Sequence, residues 1–333
     1  VEDIAIIDLV KKQAAAGLDV VTDGEFRRSY WHLDNFSGFG GIEHFNYGEG
    51  YFFAHEETRD DSARLSGKLS FNAETHPFIQ HFKFLKTIAD EAGVEAKITI
   101  PAPSQFYAEL VRGVNAETIS KFYESNEALY EDIKRVYHEE ILALYEAGAR
   151  TVQLDDCTWG MLVDSQFWTT MAGAGFDIDE MKQVYLELNN GAIENLPTDL
   201  TINTHICRGN YHSDWAATGG YDKVADELFG HENVSNYFLE YDSERAGSFE
   251  PLAKVSGNKR VVLGLITTKN GELEDKQTII DRIHEATQYL PLDRLWLSTQ
   301  CGFASTEEGN VLTEQQQWEK IRLVKEILDE IWG

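Results

Sequence analysis

The stretch DLTINTHICRG, residues 199–209, starts with alternating apolar side chains and closes on a histidine, a cysteine and a glycine. Every second side chain of an extended segment points the same way, so His205 and Cys207 share one face of the strand they end. Two soft ligands side by side at a strand end point to a metal. The same pattern, a short apolar strand with a polar C-terminal end, returns at 18–26 (LDVVTDGEF), 96–106 (AKITIPAPSQF), 149–159 (ARTVQLDDCTW), 234–242 (VSNYFLEYD), 260–270 (RVVLGLITTKN) and 295–303 (LWLSTQCGF).

Between these strands lie amphipathic segments with helical spacing, among them VEDIAIIDLVKKQAAAG (1–17), SKFYESNEALYEDIKRVYHEEILALYEAG (120–148) and TEQQQWEKIRLVKEILDEIW (313–332). Strands alternating with helices imply a parallel sheet covered by helices. The fold expected is α/β, a (βα)8 TIM barrel forming one domain over 1–333. Seven strands are visible and the chain opens at Val1 inside a helical pattern, so an upstream segment is expected to supply the first strand. An open doubly wound sheet is the competitor, but no glycine-rich dinucleotide fingerprint follows any strand. Residues 27–95, with YWHLDNFSGFGGIEHFNYGEGYFF at 30–53, are too long for a simple connection. They read as an elaborated loop or hairpin excursion over the barrel mouth near the N-terminus.

The 333 residues carry a formal charge of -28, which argues against nucleic acid or an anionic membrane surface as partner, since lysines and arginines stand mostly singly or in pairs. Three cysteines, Cys157, Cys207 and Cys301, are an odd number and lie far apart. They imply no disulfide framework and fit a reducing cytoplasm. No apolar run is long enough to cross a bilayer and none reads as a secretory leader, so a cytoplasmic protein is expected.

In a parallel barrel the strand ends bring together Asp23, Glu25, Gln105, Asp155, Asp156, His205, Cys207, Glu240, Asp242, Lys269 and Cys301. A rim so rich in carboxylates and thiols needs a counter-charge, which a divalent cation supplies. His205, Cys207 and Cys301 with one carboxylate would make a tetrahedral set of nitrogen, sulfur and oxygen donors, favouring zinc. Plainer readings stand beside this one. A strand-end cysteine is often a small buried hydrophobe, and a histidine there is often a hydrogen-bonded structural residue. Asp155 and Asp156 fit a solvated loop or a helix N-cap equally well, and DGEFRR (23–28) fits a turn. Cys157, following two acids, is left out of the ligand set. Asp155 and Asp156 point opposite ways along a strand, so they do not make the facing pair of a glycoside hydrolase.

Taken in series, GLDVVTDGEFRR (17–28), QLDDC (153–157), THICRG (204–209), FLEYD (238–242) and STQCGF (298–303) resemble the C-terminal catalytic barrel of the cobalamin-independent methionine synthases, particularly their short stand-alone relatives. The resemblance spans almost the whole chain. It implies zinc held by His205, Cys207, Glu240 and Cys301, with Asp242, on the same strand face as Glu240, as the rival carboxylate. It also implies that Glu25 and Asp155 bind the amino group of homocysteine. The implied activity is S-methyl transfer, in which a zinc-bound thiolate takes a methyl group from methyl-tetrahydrofolate or another small donor and gives methionine. The expected partners are that thiol and that donor; homo-oligomer formation is left open.

Two departures from the family pattern matter. Lys269 in LITTKNG (265–271) stands where the family has a proton-donating histidine, so that catalytic role falls to Lys269 here. Met161 stands where a family acid meets the pterin. Two alternatives therefore stay open: another zinc-dependent alkyl transfer to a thiol, as in the coenzyme M transferases, or a barrel that binds zinc or a ligand without catalysis. Arg27 and Arg28 either clamp a substrate carboxylate or pair at the surface with Asp34.

Overall fold

A computed structural model describes residues 1–333. Nine strands occur in chain order: β1 (Val20–Val21), β2 (Gly40–Asn46), β3 (Asp61–Ser70), β4 (Glu95–Pro101), β5 (Thr151–Asp155), β6 (Thr201–Ile206), β7 (Asn236–Glu240), β8 (Arg260–Ile266) and β9 (Leu295–Thr299). The fold is α/β. Its seven-stranded sheet takes β1 and then β4 to β9 in chain order, and these are the seven stretches picked out by composition. Between 27 and 95, β2 and β3 form a separate antiparallel hairpin with Phe45 opposite Ser62, followed by the helix Pro77–Ala92.

The chain divides into two compact units. The first holds residues 1–51, 57–155 and 187–202. In it β1 pairs with β4, and β4 with β5, all parallel, Ile98 lying beside Val152 and Pro101 beside Asp155. Its core is packed by helices whose apolar residues recur every three or four positions. Phe78, Phe82 and Leu85 are buried on Pro77–Ala92, while Leu129, Ile133, Val136, Ile141 and Leu144 are buried on Asn126–Glu146. Each such side chain contributes roughly 1.5–3 kcal/mol by leaving water. The amphipathic stretch 120–148 is not one continuous helix. Ile119–Phe122 stops before Ser125, whose hydroxyl accepts from the amide of Ala128 and starts Asn126–Glu146 afresh.

The second unit holds residues 52–56, 156–186 and 203–333. Within it β7 lies between β6 and β8, and β8 pairs with β9, again in parallel. All of β8 after Arg260 is buried, as expected of a strand covered on both faces. The helix Glu314–Ile331 starts with a capping box between Thr313 and Gln316.

The strands carry an alternation that matters for the site. Along β4, β5 and β6 the even-numbered positions Ile98, Ile100, Val152, Leu154, Ile202 and Ile206 are buried apolar residues, and Thr204 is a buried polar one among them. The odd positions between them are Lys97, Thr99, Gln153, Asp155, Asn203 and His205, so one face of each strand is polar. Gln105 departs from the expectation. β4 ends at Pro101, and Pro103 opens the helix Pro103–Leu110, so Gln105 is a helical residue and not a strand-end one. Proline at the first helical position, where no amide is needed, explains the early stop.

Candidate functional site

The period of β6 carries His205 and Cys207 to the same side, and Cys301 follows β9 by two residues. A ring nitrogen of His205 and the sulfurs of Cys207 and Cys301 all lie within 4.8 Å of one another. A tetrahedral zinc ion with bonds of about 2.0–2.3 Å sets its donors roughly 3.5–4 Å apart, so small side-chain adjustments suffice to grip one. Nδ1 of His205 is 3.1 Å from the carbonyl oxygen of Phe238. A carbonyl only accepts, so Nδ1 carries the proton and Nε2 keeps the lone pair a metal needs.

The electrostatics agree with that donor set. The thiol of Cys207 is held well above its ordinary range, first by the neighbouring thiol of Cys157 and then by burial. The thiol of Cys301 is pushed up first by Cys207 and then by burial. Crowded thiols resist ionising together, and a divalent cation among them reverses that preference. The nitrogen–sulfur–sulfur chemistry therefore fits zinc.

The carboxylates expected beside these ligands are placed differently. Glu240, the last residue of β7, is fully buried. Its Oε2 accepts from the backbone amide of Arg208 at 3.0 Å and its Oε1 from the guanidinium of Arg245 at 3.0 Å. The same guanidinium reaches Oδ1 of Asp242 at 3.3 Å, and burial, then Glu240, raises the pKa of Asp242. Neither acid belongs to the close group of three donors. Arg208 is itself fully buried, donating to the carbonyl oxygens of Gly219, Glu240 and Ala246 and to the hydroxyl of Tyr221. Sequence reasoning missed both arginines; the signal was the Arg next to Cys207 within THICRG.

Cys157 also lies close by. Its sulfur is 3.7 Å from that of Cys207, although it is not part of the group of three. The acid before it, Asp156, accepts from the amide of Thr158 and caps the helix Cys157–Leu162, so of the two readings offered for Asp156 the cap is the one observed.

The ammonium of Lys269 donates to the carbonyl oxygens of Gly209 at 2.8 Å and Asp214 at 2.9 Å and to Oδ1 of Asn210 at 3.3 Å. All three of its N–H donors are thus directed at the loop that follows Cys207. That loop is held further by Asp214, whose carboxylate accepts from the backbone amide of His55 at 2.6 Å and faces its ring nitrogen at 2.9 Å.

Glu25 and Asp155 belong to the other unit. The turn before Glu25 has positive φ at Gly24 (65°) and at Glu25 itself (59°), an uncommon conformation for glutamate, and Oδ1 of Asp23 accepts from the amide of Glu25 at 2.9 Å. The carboxylate so aimed accepts from the hydroxyl of Thr99 at 2.8 Å and pairs with Arg28 at 3.1 Å. Burial raises its pKa, Arg28 opposes that, and Asp155 adds to it. Asp155 accepts from Nε2 of Gln153 at 2.7 Å, and Oε1 of Gln153 accepts from Lys97 at 3.0 Å. Burial lowers the pKa of Lys97, against the pull of Asp155 and then Glu25. Two carboxylates thus share their surroundings with Arg28, which the sequence offers as a substrate clamp, and with Lys97, which it does not single out. Arg27 instead pairs with Glu2 and Asp3. Neither arginine meets Asp34, whose carboxylate accepts from the amides of Ser29 and Tyr30.

No helix is long and apolar enough to cross a membrane, and all three cysteines are free.

Comparison with known proteins adds the following. Residues 92–318 match the family described as cobalamin-independent synthase, catalytic domain. Uncharacterized protein YxjH of Bacillus subtilis is 43% identical over 333 residues, covering 100% of this chain and 86% of its own. A methionine synthase of Saccharolobus solfataricus is 22% identical over 304 residues, 90% of this chain and 76% of its own. Among solved structures, a putative vitamin-B12 independent methionine synthase from Listeria monocytogenes superposes with a TM-score of 0.75 at 35% identity, covering 100% of this chain and 87% of that one.

Proposed function

Because this chain belongs to the family of cobalamin-independent synthase catalytic domains, we propose that it is a zinc-dependent S-methyltransferase. The acceptor is a thiol, homocysteine or a close relative; the methyl group comes from methyl-tetrahydrofolate or another small donor; and the product with homocysteine is methionine. The observation that carries the reading is the meeting of His205, Cys207 and Cys301 within 4.8 Å. The seven parallel strands in chain order support a (βα)8 barrel as the fold behind it.

His205, Cys207 and Cys301 would hold the zinc; Glu240, which lies outside that close group and is held by Arg208 and Arg245, is the carboxylate we assign to complete the set. The ion, when bound, lowers the pKa of the acceptor thiol so that it reacts as a thiolate at neutral pH. The protein's own groups do the rest. The carbonyl of Phe238 fixes the tautomer and orientation of His205. The backbone amide of Arg208 and the guanidinium of Arg245 orient Glu240. We assign Glu25 and Asp155 to the ammonium of the acceptor, which they position without acid–base work, their own charge balanced by Arg28 and Lys97. Lys269, its donors occupied, is assigned to holding the 209–214 loop. Three free thiols suit a reducing, cytoplasmic setting.

The test is zinc content in protein purified without added metal, repeated for Cys207→Ser and Cys301→Ser, together with a mass-spectrometric assay for methyl transfer to homocysteine. Full zinc retention in both variants would end the metal assignment. Zinc binding without transfer from any of several donors would leave a binding protein in place of an enzyme.

A further inference from the structure

We propose that Cys157 and Cys207 form an oxidisable dithiol, a reaction site for hydroperoxides that closes to a disulfide. The sulfurs are already 3.7 Å apart. A disulfide needs a bond of about 2.05 Å and Cβ atoms about 3.5–4.5 Å apart, so side-chain rotation supplies the closure if the backbones are near enough. They are held near on two counts. The amide of Asp156 donates to the carbonyl of His205 at 2.8 Å, which places residues 157 and 207 just beyond paired backbone. A Cβ built on Gly160 would stand 1.8 Å from the carbonyl oxygen of Cys207; only glycine lets the helix Cys157–Leu162 approach Cys207 this closely.

The two cysteines also differ in access. Cys157 is half-buried, whereas Cys207 is 4% exposed. Cys157 is therefore the sulfur that meets the oxidant. Its sulfur attacks the peroxide; an S–O bond forms, the O–O bond breaks, and the thiol proton passes to the departing oxygen, which leaves as water when the peroxide is hydrogen peroxide, giving a sulfenic acid. The sulfur of Cys207 then attacks that of Cys157; the S–S bond forms, the S–O bond breaks and a second water leaves. Two thiols have given two electrons to one peroxide.

The consequence for the metal rests on the function proposed above: Cys207 shared with Cys157 is lost as a ligand, so oxidation releases zinc, and a dithiol reductant with added zinc restores the site. Cys157 is outside the close group of three donors, so its replacement spares that group.

The experiment treats the zinc-loaded protein with stoichiometric hydrogen peroxide. It follows zinc release with a chromophoric chelator and maps cross-linked peptides without reduction. The expected result is a peptide pair joining Cys157 to Cys207, loss of two thiols per chain, and recovery on reduction with zinc present. In Cys157→Ser, zinc release should slow by about tenfold or more, because a solvent-reachable attacking thiol is gone. A cross-link only between Cys207 and Cys301, or zinc release from Cys157→Ser at the wild-type rate, would overturn the proposal. Mapping on the unmutated protein decides the matter even if the variant folds poorly. A 157–207 link in protein that never binds zinc would uphold the dithiol and sink the metal assignment. Bound zinc with no such link would do the reverse.

Discussion

The guanidinium of Arg245 sits 3.0 Å from Oε1 of Glu240 and 3.3 Å from Oδ1 of Asp242. One cation therefore holds both acids that compete, on sequence grounds, for a place among the ligands. Removing it leaves two buried carboxylates side by side. Breaking a buried pair from one side costs about 3–5 kcal/mol, because the remaining charge has no partner. Arg245→Met should lower the unfolding free energy of metal-free protein by that order, seen as a lower urea midpoint, and added zinc should recover part of the loss by giving Glu240 another cation. An unchanged midpoint would mean that Arg245 adds nothing to the stability of this corner.

Metal binding should itself appear as stability. A ligand that binds only the folded state adds RT ln(1 + [L]/Kd), about 2.7 kcal/mol at a free concentration one hundred times Kd. Thermal unfolding of zinc-loaded and chelator-stripped protein should therefore differ in midpoint, and the difference should vanish in Cys301→Ser. A zinc-dependent shift of wild-type size in that variant would show that the metal sits elsewhere.

Lys269 makes a prediction about the loop it anchors. Lys269→Met leaves the carbonyls of Gly209 and Asp214 without the donor they share, at about 1–3 kcal/mol for each unsatisfied buried group. The loop should then exchange its amide hydrogens faster, with zinc content unchanged. Lys269→Arg should restore part of the protection. If exchange over residues 209–214 does not change in Lys269→Met, the loop is held without Lys269 by its other bonds, those of Asp214 with His55, of Asn210 with Gly302 and of Ser213 with Asn310.

The parts of this molecule that could be read from sequence are those governed by local period. β8 reads as an unbroken apolar run because it is buried on both faces, and His205 and Cys207 share a side because strand side chains alternate. Partnerships between distant segments could not be read. The amide of Arg208 meets Glu240 thirty-two residues on, and Arg28 reaches Thr99 across seventy-one. Nothing in the two acids before Cys157 marks it as a neighbour of Cys207, yet capping by Asp156 turns the chain into a helix that brings its sulfur beside Cys207. Gln105 reads as a strand-end residue because the extended pattern of AKITIPAPSQF runs past Pro101 without a break in polarity, whereas the backbone turns helical at Pro103.

Glu140 and His76 give the pH dependence. Both are fully buried, 3.8 Å apart, and the side-chain Nδ2 of Asn35 donates to Oε1 of Glu140 at 2.7 Å. Burial pushes Glu140 from 4.5 to about 8, against the Asn35 hydrogen bond and Arg28, and pushes His76 from 6.5 down to about 4. The folded chain thus keeps the proton of Glu140 where the unfolded chain has released it. Stability from this group is whole below about pH 4.5, falls as pH rises, and is at its lowest above about pH 8. His76 works in the other direction: the unfolded chain gains a proton below about pH 6.5 that the folded chain refuses until about pH 4, so stability falls as pH drops through that interval. Glu140→Gln keeps the acceptor for Asn35 and has no proton to lose. It should match wild type near pH 4.5 and exceed it by pH 8 by an amount on the order of a few kcal/mol, read from urea unfolding at each pH. Were the two proteins to lose stability in parallel from pH 5 to 8, Glu140 would not be holding a proton in the folded state, and the slope would belong to another group.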